Sequence, residues 1–371
     1  MAIETCLQEK VDFVLISGDL FNTAVPGIES LQMAVKQIKR LKDAGIPVYY
    51  IAGSHDFSPS GKTMLDVIEH AGLATNVARG EELRDNRIKL HFTVDEKTGA
   101  KITGMIGKKG GLETSYYYQL AKEHLEAEPG YKIFMFHSAL AELKPKELEQ
   151  MDAMAVSMMP AGFDYYAGGH VHVVDRADVG AHKNIVYPGP IFPNNFSEIE
   201  KLRHGSFVMV EDKEIRHVPL IVNPAVCITI DANNKTPAEV EAIIQRELLQ
   251  HNVTDAIVTI RVGGCLKQGK PGDIRWNDII QSLYSRHVYF VMKNTNALTT
   301  KELEAIQVEE ANVEKVEETL LQQHSGQFKL TGNDVELTQK LMHSLSTEKQ
   351  EGERIADFEN RLTAELDKLL N

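Results

Sequence analysis

A chain of 371 residues, 43% of them hydrophobic, is long enough to bury one large α/β core and at least one smaller domain, which excludes a tail or a linker. Its formal net charge of -13 repels polyanions at long range and excludes nonspecific coating of nucleic acid, so any nucleic-acid contact has to come from local basic patches. Three scattered cysteines, Cys6, Cys227 and Cys265, without a CxxC spacing, suggest neither a disulfide framework nor a thiolate zinc site. No apolar run reaches the roughly 20 residues of a membrane span, and the acidic start "MAIETCLQEK" is unlike a signal peptide. A cytoplasmic protein is expected.

In chain order, "AIETCLQEK" carries Ile3, Cys6 and Leu7 as the apolar stripe of a helix. The runs "VDFVLIS" (11–17), "IPVYYIAG" (46–53), "YKIFMFH" (131–137) and "FDYYAGG" (163–169) read as buried strands ending in polar or small residues. Between the first two, "IESLQMAVKQIKRLKDAG" has Leu31, Val35, Ile38 and Leu41 at helical spacing and Gly45 as its stop, giving a strand, helix, strand unit. "NIVY", "SFVMV" and "EIRHVPLI" then follow without helices and are expected to complete the sheet in antiparallel fashion. Near Asn223-Pro224 the pattern restarts: "VCITID", a helix across 238–250, "DAIVTIRV", a helix across 274–284 and "HVYFVM" predict a compact second α/β domain. From about residue 300 the chain is charged and helical.

The side chains at the strand ends are the types that bind first-row divalent metals: Asp19, then His55 and Asp56, then His137, then His170 and His172. Ligands of open α/β sheets collect outside the carboxyl ends of strands, so four successive ends of this kind point to a metal site. In "YYAGGHVHVV" (165–174) a continuing strand would turn His170 and His172 to one face, beside a Gly-Gly that lets the backbone approach closely.

The series "GDLFN" (18–22), "GSHD" (53–56), "FMFHS" (134–138) and "GGHVH" (168–172) resembles the calcineurin-like metallophosphoesterase superfamily. Within it, "GDLFN", "AGSHDFSPSGKTMLDVIEHAGL" and "YPGP" (187–190) are similar to the SbcD-type nucleases, relatives of the meiotic-recombination-eleven DNA repair nuclease. The resemblance implies an α/β fold: a metallophosphoesterase β-sandwich flanked by helices (1–221), a smaller α/β capping, DNA-contacting domain (222–298), a linker (299–330) and an amphipathic helical ATPase-docking segment (331–371). It implies manganese-dependent hydrolysis of phosphodiesters at DNA ends in double-strand-break repair, with an SbcC-type coiled-coil ATPase as partner, a homodimer, and a nucleoid-associated location.

The implied site holds two Mn2+ ions. Asp19 bridges them, His137 and His170 bind one, and His172 binds the other. His55 stands unliganded at the scissile phosphate, while Asp56 either orients it or caps the following helix. Three features depart from the family pattern. Ser54 replaces an asparagine whose amide oxygen binds metal, and Asn22 stands where many members carry a second catalytic histidine. No Asp-x-His occurs anywhere in the chain, although the family's first strand ends in one. The expectation is a nuclease domain lacking its N-terminal strand, from an incomplete reading frame rather than true loss, with one metal position impaired. A noncatalytic DNA- and ATPase-binding scaffold and a small-molecule phosphodiesterase remain the alternatives.

Two basic clusters, Lys267, Lys270 and Arg275 beside Trp276, and Lys97, Lys101, Lys108 and Lys109, read either as phosphate contacts or as solvated connections. Apolar stripes at Val335, Leu337, Leu341, Met342 and Leu345, and at Ile355, Phe358, Leu362, Leu366 and Leu369, read as amphipathic helices. They fit a self-packed hairpin, while the resemblance implies docking in a groove of the ATPase.

Overall fold

The structure is a computed structural model that describes residues 1–57, 63–145, 151–212, 214–301, single positions between 337 and 347, and 355–370. Two sheets face each other in its N-terminal part. One is parallel and three-stranded, in the order Val14–Ser17, Val48–Ile51, Thr75–Asn76. The other has six strands in the order Val174–Val179, His182–Pro188, Tyr165–Gly169, Lys132–His137, Lys101–Met105, Thr93–Val94, parallel in the middle and antiparallel at both margins.

Strict alternation along the strands builds this sandwich. Leu15, Tyr49 and Ile51 turn inward to meet Ile102, Ile133, Met135, Tyr165, Ala167 and Val186 of the opposite sheet. Val14, Ile16, Val48 and Tyr50 turn outward instead. There they bury Ile3, Cys6 and Leu7 of the helix Ala2–Glu9, Ile38 and Leu41 of the helix Ile28–Asp43, and Leu65 and Ile68 of the helix Leu65–His70. On the far side of the large sheet, Phe134 and Phe136 pack with Tyr117, Leu125, Tyr166 and Tyr187. Every residue of Lys132–His137 is therefore buried. The helix Ile28–Asp43 ends where the sequence stops it: Gly45 takes φ +74° and Ile46 N–H reaches back to Leu41 O at 2.9 Å.

The expected antiparallel completion is only partly observed. "NIVY" joins the large sheet, but parallel to Tyr165–Gly169. Gly205–Glu211 and Glu214–Leu220 instead form a separate antiparallel pair, whose Val208 and Ile215 pack against the core between the sheets. Their alternation fits either sheet, and only the packing of their apolar face decides.

The second α/β unit has its own core, in which Ile228, Ile230, Val258, Ile260 and Val262 meet Val240, Ile244, Trp276, Ile279 and Leu283. Its strands Ala225–Asp231, Ile257–Leu266 and Phe290–Asn294 are all parallel, and its helices are Pro237–Leu249 and Trp276–Ser285. "TPAE" (236–239) starts the first of these with a capping box: Glu239 N–H donates to Thr236 Oγ1 at 3.3 Å and Thr236 N–H to Glu239 Oε2 at 2.7 Å. The C-terminal stripe is helical over Ile355–Leu370, with Phe358, Leu362 and Leu366 half-buried. Ser344 Oγ lies 3.3 Å from Glu365 Oε1, so the two helical segments touch. Most of the linker 299–330, together with Val335 and Met342, lies outside the described residues. Among the described residues no helix is long and apolar enough to cross a membrane.

Candidate metal centre

The carboxyl ends of Val14–Ser17, Val48–Ile51, Lys132–His137 and Tyr165–Gly169 converge on one cluster. Potential ligand atoms of Asp19, His137 and His170 lie within 4.8 Å of one another. His137 is the last residue of its strand and shares the inward face with Ile133 and Met135, so the alternation that fills the core also aims the imidazole at the site. Asp19 and His170 follow glycines and take positive φ, +52° and +84°. Left-handed backbone is costly for residues with a Cβ, and at functional sites such strain is held by the surrounding structure.

Glycines make the socket for His137. A Cβ on Gly18 would stand 2.3 Å from His137 Nδ1, one on Gly107 2.4 Å from His137 Cδ2, and one on Gly169 2.0 Å from Ser17 O. A Cβ on Gly53 would stand 2.3 Å from Asp19 Oδ1. None of these positions tolerates a side chain without moving a cluster residue.

The hydrogen bonds prepare the ring nitrogens. His137 Nδ1 lies 2.7 Å from the Ser17 carbonyl oxygen, which can only accept, so Nδ1 carries the proton and Nε2 faces the cluster. Nε2 is 3.1 Å from Asp19 Oδ2, close enough to pair with it when the ring is protonated, yet it makes no aligned hydrogen bond among the described residues. Asp19 Oδ1 accepts from His55 N–H at 2.8 Å, and Oδ2 lies 3.4 Å from Ser54 Oγ, which is buried beside it. The His137 and His170 rings meet edge to face at 5.1 Å.

The electrostatics follow. Burial pushes the Asp19 carboxyl up, but His137 and the His55 N–H more than offset this, and it sits below its ordinary value. Burial pulls His137 down, but the Asp19 carboxylate outweighs it and holds the imidazole above its ordinary value. Burial, together with the nearby His137, pushes His170 down to about 4, so it is neutral and has a free lone pair at neutral pH. A carboxylate, a neutral imidazole and a buried Nε2 without an aligned hydrogen bond fit a divalent cation. Asp19, His137 and His170 would hold it, with Ser54 at its margin.

Two sequence expectations are corrected here. The strand ends at Gly169, and with His170 at φ +84° the residues that follow are not a continuing strand, so period two does not relate His170 to His172. His172 lies outside the three-residue cluster, half-exposed, with Nδ1 2.8 Å from Glu198 Oε1. Nor does Asp56 hold the His55 ring, whose Nδ1 lies 3.0 Å from the Asn22 carbonyl oxygen. Asp56 is buried and its carboxylate accepts three backbone N–H groups: Asp19 at 2.8 Å and Gly53 at 2.9 Å on Oδ2, and Phe21 at 3.2 Å on Oδ1. The next helix, Leu65–His70, has Met64 at its N-cap. Burial, partly offset by those N–H groups, keeps the Asp56 carboxyl above its ordinary value.

Sequence reasoning missed Glu198 and Gly107. "NFSE" (195–198) does carry a signal, since Asn195 caps the helix Phe196–Leu202 and accepts from Glu198 N–H at 3.0 Å. The basic clusters are largely engaged within the protein. Lys267 pairs with Glu239 at 3.0 Å, Arg275 with Glu241 at 2.7 Å, Lys97 with Asp12 at 2.5 Å, and Lys101 with Glu128. Lys108 bonds the Tyr116 hydroxyl, and Trp276 is buried in the second core.

Residues 1–174 match the family model for calcineurin-like phosphoesterases. The chain is similar to the DNA double-strand break repair protein Mre11 of Methanopyrus kandleri, 31% identical over 222 residues, which cover 57% of this chain and 48% of that protein. The Mre11 of Saccharolobus solfataricus is 27% identical over 259 residues, 68% of this chain and 64% of the relative. The uncharacterized metallophosphoesterase YhaO of Bacillus subtilis is 27% identical over 188 residues, 50% of this chain and 43% of the relative. The chain thus spans about half the length of most of these curated relatives.

Proposed function

We propose that this chain hydrolyses phosphodiesters at DNA ends with manganese, in double-strand-break repair, because residues 1–174 match the family model for calcineurin-like phosphoesterases and the similar curated proteins include several named Mre11. The observation that carries the reading is the meeting of Asp19, His137 and His170 at the carboxyl ends of the strands, with His55 at their margin. When bound, divalent ions would supply the positive charge that lowers the pKa of an attacking water and balances charge on the phosphate.

The protein's own groups do the rest. Asp19 faces His137 on one side and is fixed on the other by His55 N–H. In this reading His172 would supply a donor for a second ion, and Ser54 offers a hydroxyl where an amide would bind more strongly. His55 donates Nδ1–H to the Asn22 carbonyl, which leaves Nε2 to hydrogen-bond a phosphate oxygen or, when protonated, to pass its proton to the leaving oxygen. Asp56 fixes the two loops on which Asp19 and His55 stand.

In this reading residues 1–221 form the nuclease unit and 222–298 a cap that touches DNA. The segment 331–371, expected from its sequence to be amphipathic and helical, docks on an SbcC-type coiled-coil ATPase by helix-in-groove contacts, within a homodimer. The ion pairs at Lys267 and Arg275 direct the search for DNA contacts to other surfaces of the cap.

The test compares hydrolysis of duplex DNA ends with hydrolysis of a small nucleotide ester, in Mn2+, for wild type and His55→Ala. Loss of most DNA hydrolysis with unchanged manganese content is expected for the variant. Preference for the small ester would replace DNA as substrate, and loss of manganese would make His55 a ligand.

A further inference from the structure

We propose that the helix Phe196–Leu202 is a positioning element that ties His172 to the second α/β unit, with Glu198 orienting the histidine and the Glu200–Arg261 pair holding the helix from its opposite side. Residues two apart on a helix lie about 200° apart around its axis, so Glu198 and Glu200 face in nearly opposite directions. Glu198 Oε1 is 2.8 Å from His172 Nδ1. The same carboxylate accepts from Asn194 N–H at 3.0 Å and from the Asn195 side-chain amide, so its orientation is fixed from three directions.

On the other side, Glu200 takes a forked pair from Arg261: Nε at 3.1 Å to both oxygens and Nη2 at 2.6 Å to Oε2. Such two-pronged pairs fix geometry as well as charge. The guanidinium also lies 5.0 Å from the centre of the Phe196 ring, so one arginine grips the helix at two points. Arg261 stands mid-strand in Ile257–Leu266, paired with Thr229 on one side and Asn294 on the other. Its backbone belongs to the most constrained part of the second unit. Cys227 Sγ, on the adjacent strand, lies 3.8 Å from Ile199 O and adds a further contact to the same helix.

A carboxylate accepting Nδ1–H selects one imidazole tautomer, with Nε2 left as the free acceptor. Displacement of the second unit would therefore be felt at His172 through seven residues of helix. The metal consequence of this inference rests on reading His172 as a ligand, whereas the tautomer consequence does not.

The experiment records imidazole 15N resonances of the whole metal-free chain, then titrates it with Mn2+ alone. Wild-type His172 is expected as the single Nδ1–H tautomer, and Glu198→Ala as a mixture like that of free histidine. Arg261→Met, which keeps the packing on Phe196, and Glu200→Gln, which is nearly isosteric, are expected to shift His172 toward the mixture while His137 signals stay in place. In Glu198→Ala the weaker of two manganese sites is expected to lose about 10-fold in affinity, as is usual when the partner of a ligating imidazole is removed. Unchanged His172 resonances in both Arg261→Met and Glu200→Gln would overturn the coupling. Altered tautomers with no second manganese site in wild type would uphold the coupling and reject His172 as a ligand.

Discussion

Removing the Asp56 carboxylate should separate the two loops that carry Asp19 and His55. In Asp56→Ala the N–H groups of Asp19, Gly53 and Phe21 lose their acceptor together. A buried donor left unpaired costs about 1–3 kcal/mol, so three imply a loss of about 3–6 kcal/mol after water reaches the more open ones. Asp56→Asn is the informative partner. Its single oxygen can still serve Asp19 and Gly53, which share Oδ2, but its amide then faces Phe21 N–H, donor against donor. One bond is lost, and relief from burying a charge offsets part of it, giving a loss of about 1–2 kcal/mol. Urea denaturation of the metal-free protein measures both, and manganese titration should show the alanine form more than 10-fold weaker in binding. Equal stability of the alanine and asparagine forms, or an alanine form within about 0.5 kcal/mol of wild type, would refute the assignment of Asp56 as the clamp between loops.

Gly107→Ala places a methyl 2.4 Å from His137 Cδ2 and should weaken manganese binding, whereas at Gly272, where a Cβ meets nothing within 4 Å, alanine should bind as wild type; equal titrations of the two variants would discredit the glycine socket. His137 is raised in the folded state, so its protonated pair with Asp19 contributes stability that is complete below about 6.5 and lost as pH rises through the folded value. The metal-free protein should therefore lose stability over that window, a slope missing from His137→Gln, while manganese affinity rises over the same window as the ion displaces the proton; parallel urea midpoints for the two proteins would contradict this. Ser54→Asn puts an amide oxygen beside Asp19 Oδ2, and calorimetry should find tighter Mn2+ binding; no gain would place residue 54 outside the ligands.

What could be read from the sequence was local or periodic. Leu31, Val35, Ile38 and Leu41 fix a helix face without reference to the rest of the chain, and the apolar runs ending in Asp19, His55, His137 and His170 carry both strand and site. The hairpin of 205–220 alternates equally well for either sheet, and only packing against the sandwich assigns it. Asp56 resembled a cap because the partners of its carboxylate include residues 35 and 37 positions away, invisible to any local pattern. His170 lies past the end of its strand at Gly169 with φ +84°, a backbone turn that period two cannot express. Lys97, Lys101, Lys267 and Arg275 of the basic clusters have carboxylate partners distant in sequence, so charge density overstated the cationic surface.

The strand Lys132–His137, buried along its whole length, has a kinetic consequence. Protection against opening is greatest where a backbone segment is covered on both faces, so its amides should exchange only when the whole sandwich opens. His137 is anchored there, whereas Asp19 and His170 stand on turns and His55 on an exposed loop. A bound ion would thus have one ligand whose backbone moves only when the sandwich opens, and others carried on segments that can move without it. Departure and entry of the ion would take place at the loop side, with His137 as the fixed point to which it returns.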